Sequence, residues 1–236
     1  MRSLRAMTLR IRPETVEALG NTPADSALRE AFKKFVEGAT RDILGRSALA
    51  IEVEGWVGQL TQGVSRQTVI ICLLNSAEKR RASIREWHIK ILREQPSDGQ
   101  LRFWTERLQS GLTQEELVAD LFTSPGSLAL NGSRPEPFVQ SVFKALLGRR
   151  ASAGEISAWA GLIEGLVATP REVVLDFMTS KEYRGERIQQ WYRTYLRRPA
   201  TAFEVSQAIE MLEHGHSLES VLASILSTVE YFQSRL

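Results

Sequence analysis

His214-Gly215-His216, with Glu210 and Glu213 close by, is the cluster in this chain that carries the imidazole and carboxylate ligands a zinc ion takes. It falls where a related stretch reads Gln62-Gly63-Val64, so an exposed helix–turn boundary is expected and no metal site is assigned. Cys72 is the single cysteine, which excludes an intrachain disulfide and a cysteine-based zinc site. It lies in the apolar run Val69 to Leu74 and is expected to be buried. Nucleophilic catalysis finds no constellation either. The serines sit at helix-cap positions, and neither a Gly-x-Ser-x-Gly elbow nor a glycine-rich phosphate loop occurs. Glu115 and Glu116 belong to a first helical turn, where carboxylates favour the helix dipole. No catalytic residue and no cofactor is assigned, and the chain is not read as an enzyme.

Recognition chemistry is better represented. Lys79-Arg80-Arg81 and Arg85 load one helix that also carries Trp87-His88; Arg184, Arg187, Arg193, Arg197 and Arg198 load another that carries Trp191-Tyr192. Arginine and tryptophan are the types in which interface energy concentrates. Arg81, Arg85, Trp87, Arg184, Arg187, Trp191, Arg197 and Arg198 are therefore the candidate partner-binding residues, forming two equivalent basic-aromatic patches. The competing reading is a solvated helix face whose cations pair with Glu78, Glu86, Glu182 and Glu186. His88 occupies the column of Phe143 and Tyr192 and is expected to be a partly buried packing residue.

The elements that position these residues follow from internal repetition. Ile43-Leu44-Gly45-Arg46, Ile91-Leu92-Arg93-Glu94, Leu146-Leu147-Gly148-Arg149 and Tyr195-Leu196-Arg197-Arg198 begin 48, 55 and 49 residues apart. Thirteen residues after each start stand Trp56, Trp104, Trp159 and Ala208; seven before stand Val36, Ile84, Val139 and Ile188. The first three of these, the repeated tryptophans, have the spacing of a buried helix face and are expected in the core. Ser65, Thr113, Thr169 and Ser217 read as helix N-caps, as do Ser76, Ser124, Ser180 and Thr228 eleven residues on. Glu116 and Glu172 complete capping boxes with Thr113 and Thr169. Gly63, Gly111 and Gly215 close second helices, whereas in the third unit Gly165 is followed by a loop two residues longer. Strand alternation is missing. The expected fold is all-α, with four tandem three-helix units of about 50 residues arranged as two two-unit blocks. Trp87 and Trp191 occur only in units two and four, and Leu-Gly-Arg only in units one and three, which points to a duplicated block of about 104 residues. The division is an N-terminal arm 1–25 with Arg2, Arg5, Arg10 and Arg12, a first block 26–124, a glycine- and proline-bearing linker 125–137 and a second block 138–236.

Phe138-Val139-Gln140-Ser141-Val142-Phe143-Lys144-Ala145-Leu146-Leu147-Gly148-Arg149, then Trp159, then Ser180-Lys181-Glu182-Tyr183, resembles the bacterial helical repeat family known as domain of unknown function 4214. The last unit, ending Ser227-Thr228-Val229-Glu230-Tyr231-Phe232, fits the same pattern; units one and two fit more loosely. The resemblance spans about residues 32–233. It implies a helical fold in a bacterial protein, often exported or at the cell surface and sometimes beside glycosyltransferase domains. It supplies no catalytic residues. The family's acidic turn before the Trp-bearing helix is retained only as Asp98. A more distant similarity, to phycobilisome rod-linker domains, implies assembly of other proteins and no pigment.

The totals agree with a globular protein: 43% apolar, 25% charged and a formal charge of only +2. Such a balance makes nucleic acid the weakest of the partners considered. The leading expectation is a non-catalytic scaffold with a protein partner in a larger assembly. A carbohydrate-associated module that binds a glycan or assists a glycosyltransferase is the alternative, with nucleic-acid binding third. No apolar run approaches the ~20 residues of a membrane span. No secretion signal is legible, so the cytoplasm is the default expectation and leaderless export or surface association its alternative.

Overall fold

A computed structural model describes residues 23–131 and 134–236, so the arm arginines 2, 5, 10 and 12 lie outside the described residues. Among the described residues the only regular structure is helical. Unit one comprises α1 (Pro23–Leu44), α2 (Ala50–Thr61) and α3 (Arg66–Leu74); unit two comprises α4 (Ala77–Leu92), α5 (Asp98–Gln109) and α6 (Gln114–Phe122). A short α7 (Pro125–Asn131) precedes unit three, which has α8 (Pro135–Leu147), α9 (Ala153–Glu164) and α10 (Pro170–Thr179). Unit four has α11 (Lys181–Trp191), continued by a π-helical turn over Tyr192–Leu196, then α12 (Ala202–Glu213) and α13 (Leu218–Leu226); α14 (Val229–Gln233) ends the chain's helices. No helix among the described residues is long and apolar enough to cross a membrane.

The helix starts are set by hydroxyl side chains that accept from otherwise unpaired backbone N–H groups. All eight serines and threonines expected as caps do so. The boxes closed by Glu116 on Thr113 and Glu172 on Thr169 are both formed. The stretch 125–137, expected to be a linker, is largely helical. Pro135 and Pro137 have no N–H to give, so one helix cannot run through from α7; both are accommodated in the first turn of α8.

The apolar faces assemble into two cores. One combines unit one (Phe35, Val36, Val69, Ile70) with unit four (Ile188, Val221, Leu226, Tyr231). The other combines unit two (Ile84, Leu117, Phe122) with unit three (Val142, Val174, Phe177). Accordingly α3 packs on α13 and α6 on α10. Exchanging the blocks turns one set of contacts into the other, a pseudo-twofold pattern. Each core thus takes one unit from each block, and the two blocks interlock.

Cys72 is exposed, contrary to expectation. In α3 the inward face is Val69, Ile70, Leu73 and Leu74, and the helical period places residue 72 opposite it.

Candidate functional site

Three of the four unit junctions are fastened by one arginine gripping two glutamates. Arg46 donates to Glu52 at 2.8 and 2.9 Å and to Glu78 at 2.7 and 2.8 Å. Arg198 does the same with Glu204 and Glu230 at 2.6 to 2.9 Å, and Arg149 with Glu155 and Glu182. Each clamp ties the end of a first helix to the start of the second helix and to the start of the next unit. Glu52, Glu155 and Glu204 also accept the backbone N–H three residues back. The guanidinium in front of each holds its carboxyl down to about 2, from an ordinary 4.5. Unit two has lost every member: Glu94, Gln100 and Gly126 stand in the three columns.

A pH dependence follows. A depressed folded pKa means stability that is complete above pH about 4.5 and lost as pH falls toward about 2. Thermal melts from neutral pH downward should show the midpoint falling through that window. Replacing Glu52, Glu155 and Glu204 together by Gln should lower the neutral midpoint and flatten that part of the profile; an unchanged acid slope would contradict the assignment.

The eight candidate partner-binding residues are dispersed. Trp87 and Trp191, candidates for contact with a partner, are only 2% and 6% exposed. They continue the inward series Ile84–Trp87–Ile91 and Ile188–Trp191–Tyr195, spaced three and then four residues apart, and so face the interior. Lys90 lies over the Trp87 ring at 4.9 Å and Arg187 over Trp191 at 5.9 Å, using these aromatics within the molecule. Conversely Trp56, Trp104 and Trp159, expected in the core, are half-buried at its edge. Arg198 is a clamp. Arg197 takes the left-handed conformation (φ 60°) that ends the π-helical turn. Arg81 and Arg85 are exposed without ion partners among the described residues. His88 is more deeply buried than expected (1% exposed), with neither ring nitrogen hydrogen-bonded, and burial pushes its pKa down. His214 and His216 sit on an exposed turn, as expected.

Four of the candidates do meet, along the seam between the two cores. Trp87, Trp191 and Arg187 line a small cavity of about 80 Å³ with Lys79 and Glu86. Burial pushes the Lys79 ammonium down, and the nearby Arg187 adds to this while Glu86 opposes it. The Arg187 Nε is buried without a hydrogen bond. Beside this cavity runs a groove of about 580 Å³ lined by block-related pairs, Arg80 with Arg184 and Glu115 with Glu219. Burial raises the Glu115 pKa, and Glu219 adds to the rise while Arg184 opposes it. The seam therefore mixes four cations, Lys79, Arg80, Arg184 and Arg187, with three carboxylates, Glu86, Glu115 and Glu219.

One feature escaped the sequence reading. Leu166 and Val167, in the loop between α9 and α10, are 91% and 74% exposed, and Leu166 has φ 56°. Units one, two and four place a glycine at this position with φ 94°, 105° and 86°. A leucine there carries a steric cost of roughly 1–2 kcal/mol. Its place in the column of Gly63, Gly111 and Gly215 was the available signal.

These features define an all-α tandem-repeat protein with junctions clamped by charge and two interlocked blocks. The chain belongs to the family described as domain of unknown function (DUF4214), whose model matches residues 24–83 and 128–187, just over half of the chain. Each end of the second match lies 104 residues beyond that of the first, the spacing of the duplicated block. No curated protein and no solved structure matches the chain.

Proposed function

We propose that the protein is a non-catalytic scaffold that mediates protein–protein interaction in a bacterial assembly. The observation that carries this reading is the Leu166–Val167 protrusion. Two adjacent apolar side chains are held out in solvent, one in a backbone conformation its three counterparts reserve for glycine. An arrangement that costs free energy and exposes apolar surface is the kind found at contact sites. The clamped junctions support it, because a rigid presenting body spends little ordering entropy on binding. A glycan site would need aromatic faces open to sugar stacking, and with Trp87 and Trp191 buried no specific observation favours that alternative.

The test is the Leu166→Gly, Val167→Ser double variant. Relief of the left-handed leucine should leave the melting temperature unchanged or raise it, by up to about 1 kcal/mol of stability. In affinity capture from native cells, the wild-type protein should retain a stoichiometric protein that the variant loses. Capture of the same protein at the same yield by both would remove the protrusion as its contact.

A further inference from the structure

The block exchange provides an internal comparison for one seam of the molecule. In the first core, the space between α1 and the end of the π-helical turn is filled by the chain's own C-terminal end. The Arg235 side chain lies so close to Gly38 that an added Cβ would come within 2.7 Å of it. Its Nη1 is 3.2 Å from Asp42 Oδ2, and its Nη2 donates to the Tyr195 carbonyl at 2.9 Å. Lys34 Nζ donates to the Leu236 carbonyl at 2.9 Å.

In the second core the equivalent seam lies between α4, α7 and α8, and every part of this plug is replaced. Asp42 corresponds to Ala145, Gly38 to Ser141 and Arg235 to Asn131. The Asn131 amide turns back onto its own helix, donating to the Ser127 carbonyl at 3.0 Å. What is left is an open cleft of about 740 Å³. Lys90, Arg93, Lys144 and Arg150 line it, and among the described residues no carboxylate does. None of these four cations has an ion pair among the described residues and all four are exposed, with the Lys90 ammonium resting on the Trp87 ring. Their block equivalents are Thr194, Arg197, Arg41 and Ser47, so two cations are additions peculiar to the open seam. Half-exposed Leu130 adds apolar surface, above the buried Ile91 and Phe122. This is also the junction at which the Arg–Glu–Glu clamp is missing, with Gly126 in place of the second glutamate.

We propose that the cleft between α4, α7 and α8 is a docking site for an acidic peptide segment of a partner protein. The four unpaired cations select carboxylates, and the apolar surface beside them suits an extended chain that alternates acidic and apolar side chains. The occupied seam shows what fills this space in the fold, which is a short segment of peptide chain with its side chains. The site is separate from Leu166–Val167, so either can fail without the other.

The test is fluorescence anisotropy on the full chain with a fluorescein-labelled Glu-Leu repeat peptide, against a counterpart with Gln for Glu. The acidic peptide should bind and the Gln peptide should not, with affinity falling as salt screens the charges. Lys144→Glu with Arg150→Glu should weaken binding by about tenfold or more, whereas Lys33→Glu with Arg102→Glu, the same charge change elsewhere, should alter it by less than about twofold. Circular dichroism melts establish that each variant is folded; if the Glu pair is not, Lys144→Gln with Arg150→Gln replaces it. Equal weakening by both pairs, no binding of the acidic peptide, or tighter binding of tripolyphosphate or an oligonucleotide would overturn the proposal. Loss of peptide binding with partner capture intact would leave the scaffold reading standing.

Discussion

Asp42→Ala is expected to destabilise the protein by about 1.5–3 kcal/mol, the cost of removing the charged partner from a partly buried ion pair and hydrogen bond. Asp42 and Arg235 are each 17% exposed at the side chain, and Asp42 also accepts the Tyr231 hydroxyl at 2.7 Å across 189 residues of sequence. Burial, with Asp42 adding to it, raises the Tyr231 pKa, so the hydroxyl remains a donor. Removal of the carboxylate leaves the Arg235 guanidinium, whose Nε already lacks a partner, with only the Tyr195 carbonyl, and leaves the buried Tyr231 hydroxyl without its acceptor. Tyr231→Phe, which removes only one hydrogen bond, should cost about 1 kcal/mol. Urea denaturation of both variants checks the contrast. A loss below about 1 kcal/mol for Asp42→Ala would mean that the C-terminal end is not fastened to α1.

Ile70→Ala should have an effect of similar size, about 2–5 kcal/mol, because the side chain is fully buried and its loss leaves a cavity that α3 and α13 cannot fill. Its distribution is more informative than its size. Ile70 lies in unit one, yet its core is completed by unit four. The damage should therefore appear far away in sequence and spare the adjacent unit.

Much of the local structure was legible because it depends on local chemistry. A cap needs a hydroxyl and an N–H three residues on, so Ser65 or Thr169 declares a helix start without reference to the rest of the chain. The choice of partner unit was not legible. Val36, Ile84, Val139 and Ile188 share one column and are all buried, so an apolar stripe reports that it is covered and not by what. The tryptophans were misplaced for a related reason. Adjacent residues on a helix differ by about a quarter turn, and Trp87 and His88 both fit inside the buried arc. Charge counted along one helix omits partners on others: Arg198 is satisfied by Glu204 and Glu230, in α12 and α14, whereas Arg81 and Arg85 stay exposed without ion partners among the described residues. That pairing was visible in the repeat columns Arg46, Arg149, Arg198 and Glu52, Glu155, Glu204. The open cleft was beyond sequence, since Lys90 and Lys144 converge only when unit two packs on unit three.

The interlocking of the blocks underlies the contrast between the plugged and the open seam, and the proposed scaffold depends on it for a rigid surface. Hydrogen–deuterium exchange on Ile70→Ala tests it most directly, since exchange resolves opening element by element. Protection should fall in α1 to α3 and in α11 to α13 together, while α5, α6, α9 and α10 keep theirs. Loss confined to α1 through α6, with α12 and α13 unchanged, would show that each block holds its own core and would contradict the account.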